Sequence, residues 1–177
     1  MRGINRYFES LQKSLLRTGP CVFISHRSKN QDAASEIGDY LTSVLGVDIY
    51  IDSADDELAR AVAAGDHAGI VRYIEKGIAV STHLLGIIGT HSRGSWWVPF
   101  EIGAGRQRKL NIAYVLLDSV DDLPSYLRIA ELIKDRIELG LWAKSLRRDL
   151  LEKSFVAPNI TRLPRMRFAE PTFFHRP

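Results

Sequence analysis

Cys21-Val22-Phe23-Ile24-Ser25-His26-Arg27-Ser28-Lys29-Asn30 is the stretch on which the fold turns. Its first four residues are all apolar, not alternately apolar and polar, and the six that follow are polar. A strand covered on both faces has this signature, and the abrupt change places a loop at its carboxyl end. Downstream, Ala34, Ile37, Leu41, Val44 and Leu45 keep a helical period until Gly46, a residue suited to a left-handed cap. Residues 47–51 then predict a second strand. Residues 52–65 open with Asp52, Asp55, Asp56 and Glu57, lack any strand pattern, and read as a long loop with at most one helical turn.

The alternation continues. Asp66 can cap the helix that Ile70, Tyr73 and Ile74 define, with Gly77 past its end. His83–Ile88 is a third apolar strand, followed by a loop over residues 89–94. Ser95 is a good N-cap for a helix running to about Lys109, in which Pro99 is tolerable because it falls near the first turn. Residues 111–117 form a fourth strand, and residues 123–153 are helical by period with Leu132-Ile133 as a short edge strand between two helices. Upstream, Ile4, Tyr7, Phe8, Leu11 and Leu15 predict an amphipathic helix over residues 3–17, ended by Gly19-Pro20. Short alternating strands and helices with uniformly apolar strands predict an α/β fold: a parallel sheet of four to five strands with helices on both faces. Ligands of such sheets bind at the carboxyl ends of the strands, which selects residues 25–30, 52–65 and 89–101.

The chain has 177 residues, 45% hydrophobic and 25% charged, enough for one domain with a sizeable core. No apolar run approaches the roughly 20 residues that span a bilayer, and residues 1–18 are charged throughout without a small-residue cleavage site. Neither a secreted nor a membrane-spanning protein is expected. The single cysteine, Cys21, lies in a strand pattern and suits a buried thiol in a reducing cytoplasm. A cysteine metal site is excluded, and His67, His83 and His91 show no ligand spacing, so no metal is expected. The net charge of +3 comes from the end of the chain: residues 156–177 hold four arginines against Glu170, and four of the seven prolines. The body is neutral, so a nucleic-acid-binding face is not expected. The organisation read from this is an N-terminal helix (1–19), the α/β domain (20–153) and a basic, proline-rich arm or tail (154–177).

Three stretches resemble the Toll/interleukin-1 receptor (TIR) domain family, particularly its stand-alone bacterial members. They are Val22-Phe23-Ile24-Ser25-His26-Arg27-Ser28-Lys29-Asn30, Val47-Asp48-Ile49-Tyr50-Ile51-Asp52, and residues 74–103 with Ser95-Trp96-Trp97-Val98-Pro99-Phe100-Glu101. The resemblance spans about residues 20–150 and implies a flavodoxin-like three-layer sandwich. Many members cleave NAD+ between nicotinamide and ribose, using a glutamate four positions after a tryptophan on the helix after the third strand. Trp97 and Glu101 match that spacing. Positions i and i+4 share a helix face, so ring and carboxylate can border one pocket. Nicotinamide leaves from a pyridinium as a neutral molecule, so one carboxylate can suffice where ordinary glycosides need two.

The resemblance thus implies Glu101 as the catalytic residue, with Ser25, His26, Arg27, Asp52, Ser95 and Trp97 around the substrate. NAD+ would be the substrate and no cofactor would be needed. It further implies a cytoplasmic enzyme similar to the TIR proteins of Thoeris antiphage defence, releasing ADP-ribose or a cyclic ADP-ribose signal. Self-association and a separate effector protein would be its partners. The sequence departs from the family at Val98, where many relatives have cysteine, and at Asn30, where the first loop often ends in aspartate. Its long loop also lacks the Arg-Asp and Pro-Gly elements of receptor-type members. A non-catalytic interaction module, or a virulence mimic of host TIR signalling, is the alternative. Gly103-Ala104-Gly105 follows a helix pattern, not a strand, so it reads as close helix packing and not as a dinucleotide fingerprint.

Overall fold

The computed structural model describes residues 2–6, 11–15, 18–51, 64–92, 94–118 and 123–154. Most of the expected acidic loop, residues 52–63, and all but Ser154 of the basic arm expected over residues 154–177 lie outside the described residues, as do Tyr7 and Phe8. The strands are β1 (Cys21–Ser25), β2 (Asp48–Tyr50), β3 (His83–Ile88), β4 (Asn111–Leu116) and β5 (Glu131–Ile133). They form one sheet of five strands in the order β2-β1-β3-β4-β5, with every adjacent pair parallel. The helices are α1 (Leu11–Leu15), α2 (Gln31–Asp39), α3 (His67–Val80), α4 (Trp97–Gln107) and α5 (Arg136–Ser154). This is the flavodoxin-like α/β architecture.

Side chains alternate across each strand, so the apolar runs feed two cores. Val22, Ile24, Leu85, Ile87, Ala113 and Val115 pack with Ile37 and Leu41 of the first helical stretch and Leu139, Trp142 and Leu146 of α5. Cys21, Phe23, Leu84, Ile88, Tyr114 and Leu116 pack with Ile70, Ile74 and Ile78 of α3 and Val98 and Ile102 of α4. The helix after β1 therefore lies on one face and the helix after β3 on the other. The chain reverses its winding between these neighbouring strands, which opens a crevice at their carboxyl ends.

Several local expectations give way to tertiary contacts. Residues 2–6 do not continue the expected N-terminal helix. Their backbone runs along the outer edge of β2, with a parallel bridge between Asn5 and Ile49 and the Ile49 N–H donating to the Ile4 carbonyl at 2.8 Å. The Gly3 N–H donates to the Thr42 carbonyl at 2.9 Å, and a β-carbon on Gly3 would collide with the backbone of Val47. Arg6, 2% exposed, donates from Nε to Asp48 Oδ2 at 3.0 Å, from Nη1 to the Val80 carbonyl at 3.1 Å and from Nη2 to the Gly19 carbonyl at 2.9 Å. These polar partners hold the segment extended, and helical periodicity cannot register them.

Gly77 lies inside α3, not beyond it. The helix runs on to Val80, and Phe23 and Tyr50 ring atoms stand 2.5 Å from where a β-carbon on Gly77 would be. The glycine is a packing notch against the two stacked rings, whose centroids are 5.8 Å apart. Gly105 has the same use against Leu84 Cδ1 at 2.9 Å, whereas Gly103 faces open space and contributes no close packing. Between β4 and β5 the first expected helix is instead a series of tight turns, with Leu127, Arg128 and Ala130 N–H groups bonded three residues back. Leu127, fully buried, anchors it. Gly46 takes a φ of +65°, as a left-handed cap requires, after a π turn over Tyr40–Val44 that extends α2.

Candidate functional site

Ser25 is the last residue of β1 and points to the same face as Cys21 and Phe23, toward α4. On α4, Val98, Ile102 and Gly105 face the sheet at helical spacing, and Glu101 shares their buried side. The two side chains meet: Ser25 Oγ donates to Glu101 Oε2 at 2.5 Å. Ser25 is fully buried and Glu101 is 7% exposed. Removing a carboxylate from water is costly unless donors replace the lost solvent, and a hydroxyl aimed at one oxygen does so in part. In the sheet register Ser25 stands beside Gly86, which has no side chain to fill the space next to the pair. The pair thus sits at the crevice between β1 and β3.

Around it, His26 is half-buried, with Nε2 2.7 Å from Gln31 Oε1 and Nδ1 3.4 Å from the Ile24 carbonyl oxygen. Arg27 is half-buried, and its carbonyl accepts the Asn30 N–H at 2.7 Å, closing the 3₁₀ turn Ser28–Asn30. Ser95 is not the formal N-cap of α4, a position Trp96 occupies, but its Oγ accepts the Val98 N–H at 3.3 Å and so does the capping chemistry. Trp97 is 37% exposed and meets Phe100 edge to face with centroids 6.0 Å apart, while Trp96 is 89% exposed. Neither tryptophan is a core residue; Val98, 1% exposed, fills that place. Asp52 lies outside the described residues.

The TIR domain profile matches residues 22–152. The chain belongs to the TIR domain family. Among solved structures it is similar to the SEFIR domain of IL-17 receptor B, with a TM-score of 0.51 and 13% identity over 74% of this chain and 96% of that one. At such identity the likeness speaks for the fold alone. A 3-dehydroquinate dehydratase-like protein from Bifidobacterium longum aligns with 13% identity over 74% of this chain and 98% of that one, at a TM-score of 0.41, too low to weigh. No curated protein matches the sequence.

In this TIR domain the structure brings Ser25 and Glu101 together and sets the half-exposed Trp97 one helical turn before Glu101. It pairs the Ser25 hydroxyl with Glu101 and the His26 ring with the Gln31 side chain. Sequence reasoning missed Phe100, which the i, i+3 spacing from Trp97 could have flagged. It also missed Ser92 and Asp118, and it recorded Asn30 only as a departure from the family. Asn30 Nδ2 donates to Ser92 Oγ at 3.2 Å, and Asp118 Oδ2 accepts from the Thr90 N–H at 3.2 Å and its hydroxyl at 3.1 Å. No local pattern marks such loop-to-loop bonds. Of the histidines, His83 is buried against Trp142 and Thr82, far from this edge at the start of β3, and His67 is exposed. Among the described residues no three His, Cys, Asp or Glu side chains cluster as metal ligands, and no helix is long and apolar enough to cross a membrane.

Proposed function

We propose that this TIR domain cleaves NAD+ at the bond between nicotinamide and ribose, with Glu101 as its catalytic carboxylate. The observation that carries this reading is the nearly buried Glu101, held by Ser25 at the crevice between β1 and β3, with the half-exposed Trp97 four positions earlier on the same helix. The C1′–N1 bond breaks with its electron pair passing to the pyridinium nitrogen, so nicotinamide departs neutral and needs no proton. The ribose is left with oxocarbenium character, which a fixed carboxylate in a poorly hydrated site stabilises. Water attacking C1′ and losing a proton gives ADP-ribose; an internal hydroxyl or adenine nitrogen gives a cyclic product. No cofactor enters this scheme.

We further propose a cytoplasmic protein of the stand-alone bacterial type, similar to Thoeris TIR proteins. It would self-associate and pass its product to a separate effector in antiphage defence. The competing reading, a non-catalytic interaction module, draws on Trp96, Trp97 and Phe100, which are 89%, 37% and 42% exposed at the start of α4. The test is incubation of concentrated protein with NAD+ beside Glu101→Gln, with products separated by chromatography and weighed by mass spectrometry. The introduced amide would retain an oxygen for Ser25 to donate to, so the fold should persist while the charge is lost. Nicotinamide release is expected from the wild type and at least about 100-fold less from the variant. Equal turnover by both would remove Glu101 from the mechanism; no release from either would favour the interaction module.

A further inference from the structure

Asn30 ends the 3₁₀ turn after β1 and is 5% exposed. Its Nδ2 donates to Ser92 Oγ at 3.2 Å and, at the long limit, to the Ile87 carbonyl oxygen at 3.5 Å. A carbonyl can only accept, so the side chain must present its nitrogen there and not its oxygen. Ser92 Oγ also accepts the Gly89 N–H at 3.1 Å, so one short amide ties the loop after β1 to the loop after β3. On the same small residue, Gly89, a second constraint converges. Asp118 Oδ2 and Asn30 Nδ2 stand 3.1 and 3.5 Å from where a β-carbon of Gly89 would be. An aspartate at position 30 would set a second carboxylate beside Asp118 and against a carbonyl oxygen, where like charges and lone pairs repel.

We propose that Asn30 is a positioning residue. Its neutral amide latches the loop carrying His26 and Arg27 to the loop of residues 89–92, and so sets the spacing of the two loops that flank Ser25 and Glu101. This rests on the reading of Glu101 as the NAD+-cleaving carboxylate, and it adds the element that holds the binding edge in register. The requirement is for a donor without charge, which an amide meets and a carboxylate does not.

The test compares Asn30→Asp, Asp118→Asn and the double variant. Steady-state kinetics with NAD+ are measured beside hydrogen exchange at the Gly89 and Ser92 amides. Asn30→Asp should raise KM about tenfold with kcat changed less than about threefold, and should speed exchange at both amides about tenfold. Asp118→Asn keeps an oxygen for Thr90; in the double variant the two-carboxylate repulsion is gone but the donor at position 30 is still missing, so only about a twofold to threefold return in KM and exchange is expected, and no return at all would overturn the requirement for a neutral group. Asn30→Ala replaces Asn30→Asp if the latter does not fold, with the same direction expected in KM and exchange. Unchanged exchange at Gly89 and Ser92, or a kcat loss at unchanged KM, would overturn the latch. If the wild type does not cleave NAD+, the functional reading fails instead, and the latch stands or falls on the exchange rates.

Discussion

Replacing Ser25 by alanine removes one oxygen from a fully buried position and little else. The bond lost is a short one, 2.5 Å from Ser25 Oγ to Glu101 Oε2, and its acceptor is 7% exposed. Hydrogen bonds to charged groups contribute about 1.5–3 kcal/mol, and the hole left by one oxygen is too small for a water molecule to occupy fully. If the bond holds Glu101 in its reactive orientation, that energy is lost from the transition state, and kcat/KM should fall about 10- to 150-fold. If the whole amount also appeared in folding, a domain of this size would lose about 3–12 °C in Tm. The residual exposure of Glu101 lets solvent recover part of it, so the lower half of that range is expected. The assay is nicotinamide release against NAD+ concentration, with thermal unfolding followed in parallel. A Ser25→Ala protein within twofold of the wild-type kcat/KM, in the same experiment where Glu101→Gln loses turnover, would refute the reasoning: Glu101 would then be oriented by other contacts. A lowered Tm with unchanged kinetics would refute it as well, because the bond would be structural only.

Other consequences concern the frame around the site. Arg6→Met takes the guanidinium away from Asp48, which is 13% exposed and also accepts the Ile4 N–H. A loss of about 3–5 kcal/mol is expected in chemical denaturation, and a loss below about 1 kcal/mol would show that the N-terminal segment is not integral to the fold. Gly77→Ala gains about 1 kcal/mol of helix propensity but drives a methyl into the Phe23 and Tyr50 rings. Against an overpacking cost of about 1–3 kcal/mol the net effect should be a destabilisation of up to about 2 kcal/mol, and a stabilised variant would mean the rings move aside freely. Tyr126 is packed at the edge of the core on the α3 and α4 side, and desolvation by burial raises its pKa above the ordinary tyrosine value. The unfolded chain ionises this phenol first, so folding stability should decline as pH rises past about 10. A Tyr126→Phe variant should lose less stability over that interval, and an identical alkaline profile would contradict the assignment.

The parts of the fold that could be read along the chain are those in which burial is written into neighbouring residues. A strand covered on both faces is apolar along most of its length, so His83–Ile88 emerged with its observed bounds, and β1 runs one residue further than expected, to the buried, polar Ser25. The helical period likewise placed Trp97 and Glu101 on adjoining parts of one surface. Yet the same period misread residues 2–6, where Asn5 and Arg6 bond to β2 and its surroundings, and Gly77, whose missing side chain answers to two rings from other strands. Asn30 carried no signal of what it holds.

What the sequence by itself determined was the succession of the five strands and the helices between the first four of them, and the sheet edge on which polar loops gather; its resemblance to the TIR family supplied the candidate carboxylate. Only the tertiary structure decided what that carboxylate touches. Ser25 and Glu101 are 76 positions apart and become partners because the order β2-β1-β3-β4-β5 sets β1 beside β3 and lays α4 across both. Local periodicity records which side of an element leaves water. It does not record which distant element arrives to cover that side, because that choice is made by hydrogen bonds and close contacts between residues remote in the chain.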